Sequence, residues 1–160
     1  MFHIGDKAVY PGHGVGVIEA IETKRISGKE QSFFILRFVD NGMTIMVPED
    51  NVESAGLRTV IRKIDVRKVI GILKDREITL DTQTWNRRYR EYMEKINKGS
   101  IYEIAEVLRD LHLLKSGKEL SFGEKKILDM AKTLLVKELA IAKDVKESNI
   151  LKEIQTIFGA

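Results

Sequence analysis

The sequence predicts an α+β protein of two domains, a small all-β domain followed by an all-helical bundle. Two observations carry this prediction. Over residues 1–56, short apolar runs alternate with turn signals such as Pro11-Gly12 and Asp40-Asn41-Gly42, a pattern typical of short strands. From about Ser54 the apolar residues recur with a helical period, and the helical domain is placed at residues 57–160.

The β domain is predicted to hold four or five short strands, of which four can be placed. They cover residues 7–10, 15–24, 31–39 and 43–47. The first ends at the turn cluster Pro11–Gly14, the third is the most apolar, and Pro48 stops the fourth. Strands this short and closely spaced are typical of a small twisted barrel of the Tudor or SH3 type.

Strand alternation sorts the side chains of the third and fourth strands onto two faces. The predicted inward set is Phe34, Leu36, Phe38, Ile45 and Val47. Phe33, Ile35 and Met46 then face outward, with Ile26 near them. An outward apolar patch on so small a domain marks a protein interface, unless the helical domain of the same chain covers it. The pattern leaves both alternatives open.

The helical domain is predicted to contain about five helices joined by short connections, as bundles prefer. Candidate N-caps of four of them are Asp65, Thr84, Ser100 and Ser121. Ser100 and Ser121 are each followed three residues later by glutamate, which makes two capping boxes. The fifth helix runs from about Glu147 to Phe158, and Gly99 and Gly117 are placed to end two others.

Composition limits the classes of protein that this chain can represent. The 160 residues include no cysteine and carry a formal net charge of only +3, which is too small to indicate a nucleic-acid partner by itself. The sequence has no apolar run near the roughly 20 residues that span a bilayer, and the first residues lack a signal-peptide pattern. The expected location is cytoplasmic.

No motif favours an enzyme. Gly12-His-Gly-Val-Gly16 lacks the Lys-Ser/Thr and the following helix that a phosphate-binding loop needs, so its glycines are expected to serve a turn. His3, His13 and His112 are scattered without ligand spacing, which predicts no metal site. The carboxylates lie among lysines and arginines, as expected of a solvated helix surface. We expect no cofactor.

The most informative stretch is the predicted helix Thr84–Gly99, which begins with Trp85, the only tryptophan. Trp85, Tyr89, Tyr92, Met93 and Ile96 follow helical spacing on one face. Arg87, Arg88 and Arg90 follow the tryptophan within two turns, and Lys125 and Lys126 begin the helix after Ser121. Basic side chains and helix N-termini both favour phosphate, and an apolar wedge beside them is typical of minor-groove binding. Periodicity alone favours packing in the core for Trp85.

Several motifs together resemble the CarD/CdnL family of bacterial transcription regulators. They are Gly5-Asp-Lys-Ala-Val-Tyr-Pro-Gly-His-Gly-Val-Gly16, Met46-Val-Pro48, Trp85-Asn-Arg-Arg-Tyr89, Ala105-Glu-Val-Leu-Arg-Asp-Leu111 and Leu120-Ser-Phe-Gly-Glu-Lys125. They occur in family order over essentially the full chain. The first half also resembles the polymerase-interacting domain of transcription-repair coupling factors.

The resemblance implies a Tudor-like domain that binds the β subunit of RNA polymerase and a helical domain that contacts promoter DNA. In this family a tryptophan enters the minor groove at the upstream edge of the melted region and stabilises the open promoter complex. Trp85 matches that wedge, while Arg87, Arg90 and Lys125 match basic DNA-contacting positions, with Arg88 beside them. A location at the nucleoid, through the polymerase, follows.

The resemblance also places the polymerase contact. Lys24, Ile26 and Met46 match the contact positions, with Arg25 and Pro48 beside them. Lys24 and Met46 stand where relatives carry arginine, and lysine cannot form the same bidentate pairing, so a more apolar interface is expected. The alternative function is a protein-interaction adaptor whose barrel docks a partner while the bundle never touches DNA.

Overall fold

The computed structural model describes residues 2–77, 85–98 and 100–159, with the backbone alone of Trp85. The chain divides into two compact units, Met1–Val60 and Ile61–Ala160. The first unit contains the sheet and the second contains the helical core, which confirms the α+β class.

The first unit is an antiparallel sheet with the strand order β4-β3-β2-β1-β5. The strands are β1 Lys7–Tyr10, β2 Gly14–Ile26, β3 Lys29–Phe38, β4 Thr44–Pro48 and β5 Arg58–Thr59, and the short helix α1 Val52–Ala55 precedes β5. The four predicted strands are confirmed, and β5 adds a short edge to the sheet. Closure of the sheet into a Tudor- or SH3-like barrel stays a prediction, since these pairings leave β4 and β5 as edges.

The division between the units falls four residues beyond the predicted end of the β domain at residue 56 (60 − 56). Leu57 is 6% exposed and packs into the core of the sheet, and Arg58 pairs with Val9 of β1. Leu57 and Arg58 therefore complete the first unit.

Burial in β3 follows the predicted alternation with one correction. Phe34, Leu36 and Phe38 are buried, and Met46 of β4 is 42% exposed, as predicted. Phe33 was expected to be exposed, yet only 8% of it is exposed. Phe33 lies in the middle of the sheet between Glu22 of β2 and Pro48 of β4, where neighbours on both sides cover it.

The glycines of the Gly12–Gly16 segment serve a turn and a close approach of two strands, and β2 begins at Gly14 where a phosphate loop would need a helix. Gly12 and Gly14 have φ angles of 79° and 105°, which glycine adopts without strain. A Cβ on Gly16 would lie 2.7 Å from the Leu36 side chain. The His13 ring stacks on Phe38 at 6.1 Å between centroids, so His13 is structural.

The second unit packs five helices around one apolar core. They are α2 Val66–Lys74, α3 Trp85–Lys98, α4 Ile101–Gly117, α5 Phe122–Lys143 and α6 Glu147–Phe158. Helix α4 contributes Ala105, Leu108 and Leu111, which have no exposed surface, and α5 meets them with Ile127 and Leu135. Tertiary burial of these stripes, more than helix propensity, holds the unit together.

The predicted caps differ in outcome. Ser121 and Glu124 form the complete capping box, and Ser100 Oγ accepts from Glu103 N at 3.4 Å. Asp65 precedes α2 as predicted but makes no capping bond, because its carboxylate accepts from Arg62 Nε at 3.0 Å. The predictions for Thr84 and Gly99 lie outside the described residues.

His112 of α4 is stacked on Phe158 of α6, with ring centroids 4.0 Å apart and planes 8° from parallel. Its Nε2 is buried without a hydrogen-bond partner among the described residues. Burial, aided by the nearby cations Lys115 and Lys132, lowers the pKa of His112 from 6.5 to about 4. The folded protein therefore holds His112 neutral in a pH range where the unfolded chain binds a proton.

We expect the stability contributed by neutral His112 to be complete above pH 6.5 and to be lost as the pH falls towards 4, because the unfolded state then binds more protons. Between pH 7 and pH 5 the wild type should lose about 1 to 2 kcal/mol more free energy of unfolding than His112→Phe, which keeps the ring stack. Urea unfolding at both pH values measures this difference. Equal losses in the two proteins would contradict the prediction.

Candidate functional site

The first turns of α3 and α5 meet through an ion pair. Arg88 Nη1 of α3 lies 3.9 Å from Glu124 Oε2 of α5, and the side chains are 19% and 1% exposed. Glu124 Oε1 also accepts from Ser121 N at 2.9 Å and from Lys118 Nζ at 3.2 Å. One carboxylate therefore joins the start of α3, the turn after α4 and the start of α5.

Glu124 carries a negative charge at neutral pH although it is buried. Burial by itself favours the neutral carboxyl, but the hydrogen bonds from Ser121 and the contact with the Lys118 ammonium outweigh burial and lower the pKa of Glu124. The charge balances Arg88 and Lys118 and lies favourably at the positive end of α5. The joint between the helices is thus an ionic one.

Cationic side chains surround this joint. Arg87, Arg90, Lys125 and Lys126 are exposed on the first turns of α3 and α5. Arg87 Nε lies 3.9 Å from Glu91 and Lys125 Nζ lies 3.9 Å from Glu119, distances at which exposed ion pairs contribute little. These side chains can therefore exchange their present partners for phosphate. Arg88 differs from them, because it points inward to Glu124.

The buried line of α3 differs from the predicted stripe. Tyr89 was assigned to the packing stripe, but it is 43% exposed. Arg88, Tyr92 and Ile96 form the inward line at i, i+4 and i+8, and Ile96 has no exposed surface. The reason is that Arg88 takes the inward position in the first turn to reach Glu124. Trp85 is the first residue of α3, and its side chain lies outside the described part of the structure.

Phe122 is a further residue of this region that the sequence interpretation missed. It is the first residue of α5 and is 85% exposed, within one turn of Lys125 and Lys126. Among the described residues it is the most exposed large hydrophobic side chain, and it lies beside cations. Its signal in the sequence was available: Phe122 lies between the capping residues of α5 and outside the stripe that begins at Ile127.

The start of α5 is a weaker phosphate-binding site than the N-terminus of a helix without a capping box would be. Glu124 N donates to Ser121 Oγ at 3.2 Å, and the carboxylate of Glu124 places a negative charge in the first turn. Anion binding at helix N-termini relies on unused N–H groups and an uncompensated dipole. The groups at this end that are suited to bind phosphate are therefore mainly the basic side chains.

The sheet places the five residues predicted to contact polymerase on two faces. The register puts Lys24, Ile26, Met46 and Pro48 on one face and Arg25 on the other. Ile26 and Met46 are 49% and 42% exposed, and Lys24 Nζ lies 3.9 Å from Met46 Sδ. The shared face is largely apolar with one ammonium at its edge.

Neither a metal-binding cluster nor a membrane-spanning helix occurs in the described ranges. No group of three or more histidine, aspartate or glutamate side chains there could hold a metal ion. Within the same ranges, no helix is both long enough and apolar enough to cross a membrane.

Comparison with known proteins identifies both units. The family model described as "CarD-like/TRCF RID domain" matches residues 2–64, and the one described as "CarD, C-terminal domain" matches residues 68–155. The Bacillus subtilis (strain 168) protein named "Putative transcription factor YdeB" is 38% identical over 150 residues, which cover 94% of this chain and 97% of that protein.

Two solved structures from Myxococcus xanthus resemble the first part of the chain. CdnLNt is 52% identical, covers 38% of this chain and 86% of its own, and has a TM-score of 0.34. The 72-residue N-terminal domain of CarD is 36% identical, covers 37% of this chain and 79% of its own, and has a TM-score of 0.33. The resemblance inferred from the sequence motifs is confirmed by the two family models and the full-length relative. This chain belongs to the CarD family of transcription factors, with an amino-terminal domain of the type that interacts with RNA polymerase.

Proposed function

We propose that this protein binds the β subunit of RNA polymerase through its sheet and promoter DNA through its helical unit, and thereby stabilises the open promoter complex. The observation that carries the DNA half is the ion pair between Arg88 and Glu124. It joins the first turn of α3, which begins with Trp85, to the first turn of α5, which begins with the exposed Phe122. Apolar and cationic groups therefore collect at one end of the bundle, as minor-groove wedges require.

The basic side chains and Trp85 have different roles at the promoter, which follow from their chemistry. Arg87, Arg90 and Lys125 contact phosphates, which gives binding that tolerates many sequences and weakens with salt. Trp85 enters the minor groove at the upstream edge of the melted region. Unstacking a base step costs a few kcal/mol, so closed duplex binds weakly and the wedge favours the melted state. A ligand that prefers one state shifts the equilibrium towards it.

The polymerase contact is assigned to the sheet face with Lys24, Ile26, Met46 and Pro48. Apolar burial of Ile26 and Met46 supplies the affinity, and Lys24 pairs with a carboxylate at the rim. Arg25, on the opposite face, contacts an adjoining surface of the β subunit. The anchor raises the effective concentration of the helical unit at the promoter, so that weak DNA contacts suffice. The protein then acts in the cytoplasm, at the nucleoid.

The test is the lifetime of open complexes formed by purified polymerase on a linear promoter fragment, with and without the protein. Met46→Glu should abolish the effect by placing a charge in the apolar contact, and affinity for the isolated β subunit should fall at least tenfold. Met43→Glu is the matched control, because it makes the same substitution at a residue that is 62% exposed and precedes β4, outside the alternation that places Met46 on the contact face. Stabilisation that survives Met46→Glu contradicts the anchor. Polymerase binding without an effect on lifetime favours the adaptor that never touches DNA.

The phosphate contacts lead to a separate expectation. With Arg87→Ala and Arg90→Ala together, the slope of log affinity for promoter DNA against log salt should become shallower by about 2, since each phosphate contact contributes about 0.9. The control is Lys146→Ala with Lys152→Ala, which removes the same charge from two exposed positions, the N-cap of α6 and its interior. Lys143 Nζ pairs with Glu153 at 2.7 Å, which places α6 at the opposite end of α5. A slope that changes equally in both variants would refute the assignment.

A further inference from the structure

A basic groove runs along α2 at a distance from the proposed DNA contact. Its volume is about 390 Å³, and its cations are Lys63, Arg67, Lys74 and Lys143. Its apolar floor is formed by Val66, Ile70 and Gly71. Lys143 is the last residue of α5, whereas Glu124 lies in its first turn, so the length of α5, about 30 Å at 1.5 Å per residue, separates the groove from the joint.

The charge of the groove is not compensated within the described ranges. None of the residues that line it is acidic. Asp65, the nearest carboxylate in sequence, is engaged by Arg62 and Lys68, and Lys143 is paired with Glu153. No ion pair of Lys63, Arg67 or Lys74 occurs in the described part of the chain, and all three are exposed. The groove therefore favours a negatively charged partner.

Gly71 points to a partner that brings apolar side chains. Glycine inside a helix costs about 1 kcal/mol relative to alanine, so its use in α2 needs a reason. Its φ angle is not in the left-handed region, and a Cβ there would meet no atom of the described residues within 4 Å. Within that part of the chain, neither backbone conformation nor packing requires glycine. The absence of a side chain at Gly71 leaves open space beside Ile70 and Arg67 that an aliphatic side chain can occupy.

We propose that this groove binds an acidic amphipathic helix of a protein partner. Arg67 and Lys74 lie about two turns apart on α2, about 10 Å at 1.5 Å per residue, and Lys63 lies in the 3-10 turn that precedes the helix, so the three cations match carboxylates along one face of a helix of three turns. A leucine or similar residue of the partner enters over Gly71, as in other helix-in-groove complexes. DNA phosphates need donors and no apolar floor, so the floor of Val66 and Ile70 favours the peptide over DNA.

The experiment uses the full chain and a designed probe, a fluorescein-labelled, hydrocarbon-stapled helical peptide with glutamates at i, i+4 and i+11 and leucine at i+7. A second stapled peptide has the same composition with the glutamates and the leucine on different faces. Fluorescence anisotropy should show at least tenfold tighter binding of the first peptide. Equal binding of the two peptides, or no binding of the first, overturns the proposal.

Variants of the chain locate the binding. Gly71→Leu fills the groove without a clash and should weaken peptide binding at least tenfold, while leaving the protein at least as stable, since glycine is removed from a helix. Arg67→Glu should weaken binding equally. Lys68→Glu makes the same charge change one residue away, outside the groove lining, and should change binding less than threefold. Binding that is insensitive to Gly71→Leu overturns the proposal. The proposal is also overturned if duplex DNA displaces the peptide and the same variants weaken the binding of that DNA, because the groove would then be a DNA-binding site.

Discussion

Open promoter complexes stabilised by the Trp85→Ala protein should decay about 5- to 150-fold faster than those stabilised by the wild type. Stacking of an aromatic side chain on a base contributes about 1 to 3 kcal/mol, and 1.4 kcal/mol corresponds to tenfold. The loss should appear in the decay rate of the complex, because Trp85 is proposed to contact only the melted state. The measurement is the survival of open complexes after addition of a heparin competitor.

Trp85→Phe provides the control, since it keeps an aromatic ring and should retain an intermediate lifetime. Affinity of Trp85→Ala for the β subunit should be unchanged, because the polymerase contact is assigned to the sheet. The competing interpretation of Trp85 as a core residue gives a different result. In that case Trp85→Ala would lower the free energy of unfolding by about 3 to 5 kcal/mol, as large-to-small core substitutions do. A wild-type lifetime for Trp85→Ala would contradict the wedge.

The second large effect is expected at the joint between α3 and α5. Glu124→Ala should lower the free energy of unfolding by about 3 kcal/mol, because it removes half of a capping box and leaves Arg88 without its buried counter-ion. Glu124→Gln keeps an acceptor for Ser121 N but loses the charge, so its effect should be smaller, about 1 to 2 kcal/mol. Urea unfolding at pH 7 measures both.

A double-mutant cycle with Arg88→Met separates the ion pair from the cap. If the pair couples the helices, Glu124→Gln should cost less stability in the Arg88→Met background than in the wild type. Strict additivity would show that the 3.9 Å contact contributes nothing. The pH dependence provides a second check: the pKa of Glu124 is lowered, so its stabilising effect is present above the unfolded pKa near 4.5 and is lost below it. That loss occurs at lower pH than most of the His112 effect.

The sequence predicted the features that depend on local pattern. The strands around Phe34 and Leu36 were found from alternation, and the cap of α5 was found from the spacing of Ser121 and Glu124. The features it did not predict depend on which faces meet in three dimensions. The sequence alone does not distinguish the orientations of Arg87, Arg88 and Arg90. The packing of α3 against α5 turns Arg88 inward, towards Glu124.

The same limit explains the remaining differences. Asp65 lies at the N-cap position of α2, but its carboxylate accepts a hydrogen bond from the Arg62 guanidinium and does not cap the helix. Rules based on residue spacing do not include such a competing interaction. Phe33 followed the outward register and is nevertheless buried, because it lies in a central strand. Arg25 and Lys24 are neighbours in sequence, and the sheet register places them on opposite faces, a difference that the sequence interpretation did not draw. Phe122 was overlooked because apolar residues were sought as stripes and not as single exposed rings.

The carboxylate of Glu124 also bears on the entropy of DNA binding. Because Arg88 fixes the first turn of α3, the backbone at Trp85 should lose little conformational freedom when the promoter is engaged. A preorganised contact gains affinity by avoiding that ordering cost. Loosening the joint with Glu124→Gln should therefore make the entropy of promoter association less favourable, even where every DNA-contacting side chain is retained.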